Sequence, residues 1–221
     1  ENIYLNFIRF KFYIPLTILI IFISNIFLIS FRLKTFLSYS GLNIPFLYTH
    51  LANVQGQFLS IMFISFFGQT FGRQITLRKF RLPSVFISSL TILEKLIIFL
   101  ISGLFCFFGF LKLGISSKFT SFIGSSYSIQ IATAILLAFL VNLIFNSSKI
   151  EKNILKLFTF KNFFRFINIS SITFISQFLV IITFTLAAKN LNPTIPYHEL
   201  LAASAVTSFA AALPISINGW G

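Results

Sequence analysis

Acidic side chains are nearly absent from this chain of 221 residues. Asp does not occur, and the 4 acidic residues are the glutamates at positions 1, 94, 151 and 199. A catalytic centre built on several carboxylates is therefore not expected. The chain has 1 cysteine, Cys106, which excludes an internal disulfide and a thiolate metal site. We accordingly expect no catalytic constellation, no metal site and no cofactor.

Charged residues of either sign are also scarce, and apolar residues take their place. Only 10% of the residues are charged, 57% are hydrophobic, and the mean hydropathy is +0.93. This composition leaves too little polar surface for a soluble protein and is typical of an integral membrane protein. Apolar runs near the roughly 20 residues that cross a bilayer as a helix cover residues 12–30, 46–67, 83–111, 126–146, 166–188 and 197–213. The sequence predicts an all-α, polytopic transmembrane helical bundle that forms a single domain over residues 1–221.

The charge that remains is strongly positive, at +13. It concentrates in two clusters between the apolar runs, at residues 73–81 and 149–165. Cytoplasmic loops of membrane proteins collect Lys and Arg, and the anionic inner leaflet attracts them further. We therefore expect membrane lipids with anionic phospholipid headgroups as partners, and no nucleic acid.

Run 46–67 is too polar for a helix that faces lipid. Its polar and small residues are His50, Asn53, Gln55, Gly56, Gln57 and Ser60. Counting basic residues does not fix the topology, because a model with six crossings and a model with a re-entrant hairpin here score equally. The polar residues favour the re-entrant hairpin, since polar groups at membrane depth are costly when they face lipid.

Glu94 lies near the middle of run 83–111. An ionised side chain there costs about 2.5–3.5 kcal/mol on insertion scales, so Glu94 is expected to face the bundle interior or to be protonated. Lys95 points to a different side of the same helix, whereas Arg73 is a plausible partner from elsewhere in the chain. Two roles remain open for such a pair: fixing helix packing, or moving a polar headgroup.

The last apolar run ends at a helix-breaking tail that begins with Pro214. Proline removes a backbone donor and glycine loosens a helix, so the run is expected to break at membrane depth. Hydrocarbon tolerates such a break only where protein or a water-filled cavity lines it. A broken helix therefore suggests a pathway.

Three segments, in this order, resemble the flippase-like membrane domain of lysylphosphatidylglycerol synthases and of stand-alone bacterial proteins. The first comprises Gly56 to Phe58 and Gly68 to Arg73, similar to a polar re-entrant segment that ends in a Gly-rich turn and an Arg. The second, Thr91 to Leu96, looks like a membrane-embedded Glu followed by a basic residue. The third, Leu213 to Gly221, is similar to a Pro-x-Ser-x-x-Gly-x-Gly turn. The chain departs from the family pattern at Phe63, where the family has Pro, and at Gln69, where it has Asp.

The resemblance implies a lipid flippase-like domain that translocates a phospholipid or lipid-linked headgroup across the bacterial inner (plasma) membrane. The residues that it places on the lipid pathway are Arg73, Glu94, Lys95, Pro214, Ser216, Asn218, Gly219, Trp220 and Gly221. Those that it places in the re-entrant segment are Gln55, Gln57, Gly68 and Gly72.

Two other classes of protein stay open as alternatives. A membrane-embedded lipid-modifying transferase would need a positioned base or nucleophile. The ionisable candidates near the membrane, His50, His198 and Glu94, form no recognisable pairing. A non-catalytic structural membrane subunit would need neither a buried ion nor a broken helix. The chain starts without Met and stops inside the third motif, so we expect a fragment of a longer protein.

Overall fold

The computed structural model describes residues 13–63, 65–112 and 163–212. Within these ranges the chain is helical and contains no strand. We number the described helices α1 (Tyr13–Tyr39), α2 (Phe46–Met62), α3 (Ser65–Leu77), α4 (Ser84–Lys112), α5 (Phe163–Leu191) and α6 (Tyr197–Ala212). A 3-10 turn, Arg78–Phe80, follows α3. The predicted run 126–146 and the tail from Leu213 lie outside the described residues.

Helices α1, α4 and α5 are long and apolar enough to cross a membrane. At 1.5 Å per residue, their 27 to 29 residues extend over roughly 40 Å, more than the roughly 30 Å of a hydrocarbon core. Large apolar side chains such as Phe71 and Leu100 are exposed on the outside, whereas Asn25, Asn53 and Glu94 are buried inside. This distribution fits an integral membrane protein, because lipid solvates the apolar exterior and the polar groups find partners within.

The core joins α1 to α4. Leu33, Phe36 and Leu37 of α1 pack with Ile87 and Leu90 of α4 in one buried cluster. Helix α5 packs against α1, and α6 packs against α4 and α5. Helix α6 approaches α4 closely, because a Cβ added to Gly109 of α4 would lie 3.0 Å from the carbonyl oxygen of Ala202.

Two boundaries differ from the sequence-based prediction. Helix α1 continues nine residues beyond the predicted end at residue 30, to Tyr39, so Arg32 lies inside a helix and not in a loop. Arg73, assigned from the sequence to a basic loop cluster, is buried in α3. Both predictions fail for the same reason, since a hydropathy window penalises a single charged residue without registering that its neighbours continue the apolar face.

Run 46–67 is not one helix. The chain becomes extended at Phe63 (φ −123°, ψ 170°) and then re-enters helical geometry as α3. Helices α2 and α3 are antiparallel, because Gly68 faces the backbone of Leu59 and Gly72 faces that of Gln55. With 17 and 13 residues, they are about 25 and 20 Å long, shorter than a hydrocarbon core.

Glycine sets the distance between the two helices of this hairpin. A Cβ at Gly72 would lie 2.6 Å from backbone atoms of Gln55 and Gly56, and one at Gly68 would lie 2.4 Å from the carbonyl oxygen of Leu59. Because rigid backbone cannot move aside as a flexible side chain can, any larger residue forces the helices apart. The close contact is therefore built into the sequence of α3.

The G72A substitution is expected to destabilise the protein by about 1–3 kcal/mol through overpacking. G103A is the matched control, because its new Cβ would meet only the ring of Phe209 at 3.4 Å. Both substitutions raise helix propensity equally, so a difference between them reports packing. Thermal unfolding in detergent measures it, and equal melting temperatures would contradict the close hairpin.

Candidate ion cluster

A buried carboxylate bridges two arginines from separate helices. Arg32 of α1 donates from Nε to Oε1 of Glu94 at 2.9 Å, and Arg73 of α3 pairs through Nη1 with Oε2. The exposed fractions of the Arg32, Arg73 and Glu94 side chains are 2%, 0% and 1%. We call these three residues the ion cluster. The predicted pairing of Glu94 with Arg73 is present, and the second arginine was not predicted.

Hydroxyl and amide oxygens accept hydrogen bonds from other N–H groups of the two arginines. Arg32 donates from Nη1 to Thr173 Oγ1 of α5 at 3.4 Å. Arg73 donates to Thr91 Oγ1 at 3.3 Å and to Asn53 Oδ1 at 3.4 Å. Both threonine hydroxyls give their own proton to a carbonyl four residues earlier in the same helix, which leaves their lone pairs for the arginines. The ion cluster thus ties together side chains of α1, α2, α3, α4 and α5.

The network continues from Asn53 to His50. Asn53 Nδ2 donates to Ser30 Oγ at 3.3 Å, and His50 Nδ1 lies 3.0 Å from the same oxygen. Because Ser30 gives its proton to the carbonyl of Ile26, the hydrogen bond with His50 forms when Nδ1 carries a proton. The His50 ring is also stacked on Phe27, with centroids 4.9 Å apart.

Lys95 contacts a different part of α3 from Glu94. Its Nζ donates to Ser65 Oγ at 3.0 Å, at the residue where α3 begins. Both side chains are half-buried. Ser65, Gln69 and Arg73 recur every four residues and so occupy one face of α3. A polar stripe therefore runs along α3, from Lys95 of α4 at one end to the ion cluster at the other. Gln69, in its middle, lies next to α2, since a Cβ added to Gly56 would be 3.3 Å from Gln69 Cγ.

Two buried polar groups of α3 have no hydrogen-bond partner in the described structure. They are Oε1 of Gln69, a side chain 7% exposed, and Nε of Arg73. Buried polar groups are nearly always paired, so each unpaired one calls for an explanation. An acceptor and a donor on the same face of α3 are therefore buried without a partner.

The charges of the stripe do not cancel. Arg32, Arg73 and Lys95 contribute three positive charges and Glu94 one negative charge, leaving two positive charges in excess. In a low-dielectric interior such an excess is costly unless an anion is nearby or a proton is lost. The arrangement is therefore suited to attracting an anion, and it lacks a base paired with a nucleophile in the way that acyl transfer requires.

The other sequence-predicted site residues have separate positions. Gln55 is exposed and accepts a hydrogen bond from Thr76 Oγ1, while Gln57 is half-buried. Gly68 and Gly72 form the hairpin contact described above. The six candidates from the terminal turn lie outside the described residues: Pro214, Ser216, Asn218, Gly219, Trp220 and Gly221.

E94Q is expected to destabilise the protein by about 3–5 kcal/mol, because it leaves two buried guanidinium groups without a counter-charge. E199Q is the matched control, since the Glu199 side chain is 52% exposed and surface substitutions usually stay within about 0.5 kcal/mol. Chemical unfolding in detergent measures both. Equal stability of the two variants would show that Glu94 does not compensate the charge of the two buried arginines.

The coupling between Arg32 and Glu94 can be measured separately with R32Q, E94Q and the double variant. Because R32Q and E94Q break the same ion pair, the double variant is expected to lose at least about 1 kcal/mol less than the sum of the single losses. Additive losses would contradict a direct interaction between the two side chains.

Comparisons with protein-family models, curated proteins and solved structures found no match for this chain. Within residues 13–63, 65–112 and 163–212, no group of three or more His, Cys, Asp or Glu side chains is placed to hold a metal ion. Resemblance to the flippase-like family therefore depends on the three sequence segments. The first two contribute Arg73 and Glu94 to the ion cluster, and the third lies outside the described residues.

Proposed function

We propose that this chain is part of a lipid-translocating membrane protein that moves the headgroup of an anionic phospholipid along the polar stripe between α3 and α4. The observation that carries the proposal is the ion cluster, because ionisable groups are rarely buried among membrane helices unless they serve a substrate or ion pathway. The bacterial inner membrane is the proposed location, on the strength of the family resemblance.

The hairpin of α2 and α3 supports the same proposal. At about 25 and 20 Å, its helices are shorter than the roughly 30 Å of a hydrocarbon core, and the extended residue Phe63 separates them. In the proposed arrangement they enter the membrane and return as a re-entrant hairpin. Transporters commonly place their substrate sites at such interrupted helices, near the middle of the bilayer.

The proposed mechanism is an exchange of anions on arginine. Arg73 forms an ion pair with Glu94 and donates hydrogen bonds to Thr91 and Asn53, and its Nε has no hydrogen-bond partner. A phosphate oxygen approaching Nε would share the guanidinium with the carboxylate, since Arg binds phosphate and carboxylate in the same bidentate geometry. Glu94 stays paired with Arg32 during this exchange, so the carboxylate does not become an isolated buried charge.

The experiment is lipid translocation in proteoliposomes. The whole chain is reconstituted with a fluorescent phosphatidylglycerol, and an impermeant quencher reports the labelled lipid that reaches the outer leaflet. We expect the chain to raise the rate above that of empty liposomes. R73Q is expected to lower the rate at least about tenfold, equivalent to 1.4 kcal/mol in the barrier.

R78Q is the matched control, because Arg78 is an exposed arginine in the 3-10 turn that follows α3. Its rate should equal that of the unmodified chain. A rate equal to that of empty liposomes for the unmodified chain would overturn the proposal. Equal rates for R73Q and the unmodified chain would mean that the ion cluster only fixes helix packing.

A further inference from the structure

We infer that Lys95 and Ser65 form a phosphate-binding subsite where α3 begins, with the unpaired Oε1 of Gln69 one helical turn further along α3. The inference rests on the proposed function and deepens it, because it assigns the phosphate of the lipid headgroup to one end of the polar stripe. The ligand class is a phosphate mono- or diester carried by a lipid.

The charge balance is the first argument. Glu94 is already paired with both arginines, so it does not supply Lys95 with a counter-ion of its own. Among the described residues, the hydrogen-bond partner of Lys95 Nζ is a neutral hydroxyl, Ser65 Oγ, at 3.0 Å. A half-buried cation among membrane helices is stabilised by an accompanying anion. A phosphate diester would offset one of the two excess positive charges, and a monoester up to two.

The donors around this position suit phosphate oxygens. Lys95 offers an ammonium group, which binds phosphate as a point charge, and Ser65 offers a hydroxyl. Ser65 also begins a helix of 13 residues, whose first-turn amides add partial positive charge on the same side. Further along the same face of α3, the side chain of Arg73 has an Nε without a partner.

Gln69 provides an independent indication of a polar ligand. Gln69 is only 7% exposed, and its Oε1 has no hydrogen-bond partner. It lies on the face of α3 between Ser65 and Arg73. A hydroxyl of the headgroup, one helical turn along α3 from the phosphate, would satisfy this acceptor.

Lipid can reach the subsite from the side of the bundle. Met62 and Phe63, at the turn between α2 and α3, are 67% and 55% exposed. Ser65 follows this turn, and both Ser65 and Lys95 keep part of their surface accessible. A headgroup therefore needs no opening of the core around Leu33 and Ile87 in order to meet Lys95.

The test is ligand-dependent thermal stability of the whole chain in detergent. Short-chain phosphatidylglycerol is compared with the corresponding diacylglycerol, which lacks the phosphate, and with inorganic phosphate. We expect phosphatidylglycerol to raise the melting temperature and diacylglycerol to leave it unchanged. K95Q should weaken phosphatidylglycerol binding about ten- to a hundredfold, the range for a lost hydrogen bond to a charged group. K95R should retain most of the binding.

K112Q is the matched control, since Lys112 is an exposed lysine at the end of the same helix, and its binding should be unchanged. Without ligand, K95Q should melt at the same temperature as the unmodified chain or higher, because it removes a positive charge from a cationic region. A lower melting temperature together with unchanged binding would overturn the subsite and leave Lys95 a packing residue.

The remaining outcomes separate the source of the phosphate and the two proposals. If inorganic phosphate stabilises the chain through Lys95 as well as phosphatidylglycerol does, phosphate recognition stands and the ligand is a free ion. If phosphatidylglycerol binds through Lys95 but no lipid is translocated, the subsite stands and the proposed function fails. If lipid is translocated and K95Q binds phosphatidylglycerol as well as the unmodified chain does, the subsite is overturned and the proposed function stands.

Discussion

A single buried carboxylate holds the described structure together. Glu94 pairs with arginines that arrive on α1 and α3, so both helices must bring their charged residues to one position on α4. Arg32 lies seven residues before the end of α1, and Glu94 lies ten residues after the start of α4. The pair can form only if α1 ends on the same side of the bundle as α4 begins. The hairpin of α2 and α3 provides this, because it returns the chain to the side from which it started.

The same constraint explains the unusual use of small and hydroxyl residues. Gly68 and Gly72 let α3 lie against the backbone of α2, which places Asn53 within reach of Arg73. The hydroxyls of Thr91 and Thr173 donate to backbone carbonyls of their own helices. The same hydroxyl oxygens accept hydrogen bonds from the arginines. Arg73 Nε and Gln69 Oε1 are buried without a hydrogen-bond partner, whereas Lys95 is half-buried and contacts Ser65, close to the turn at Phe63. On the proposed function, the end of the stripe at Lys95 is where a headgroup would be received.

Much of this arrangement could be predicted from residue patterns. The hydropathy pattern predicted the ends of α4 and α5 to within about three residues. The burial of Glu94 and its pairing with Arg73 followed from the cost of an isolated charge in a membrane. Arg32 was missed because a hydropathy window treats a charge as the end of a run. The buried positions Leu33, Phe36 and Leu37 continue the helical face through it, and that periodicity was the available signal. The contact between Lys95 and Ser65 depends on the angle between α3 and α4, which no local pattern specifies.

The most direct test of the account is the side of the membrane on which the hairpin begins and ends. Single cysteines are introduced as N43C, F63C and S84C in a C106A background and treated with a membrane-impermeant thiol reagent in right-side-out and inverted vesicles. The account predicts that positions 43 and 84 react from the same side and that position 63, at the turn, is protected from both. Reaction of positions 43 and 84 from opposite sides would contradict the account, because Arg32 and Glu94 could then not meet. Reaction of position 63 from the far side would show two crossings in place of a re-entrant hairpin.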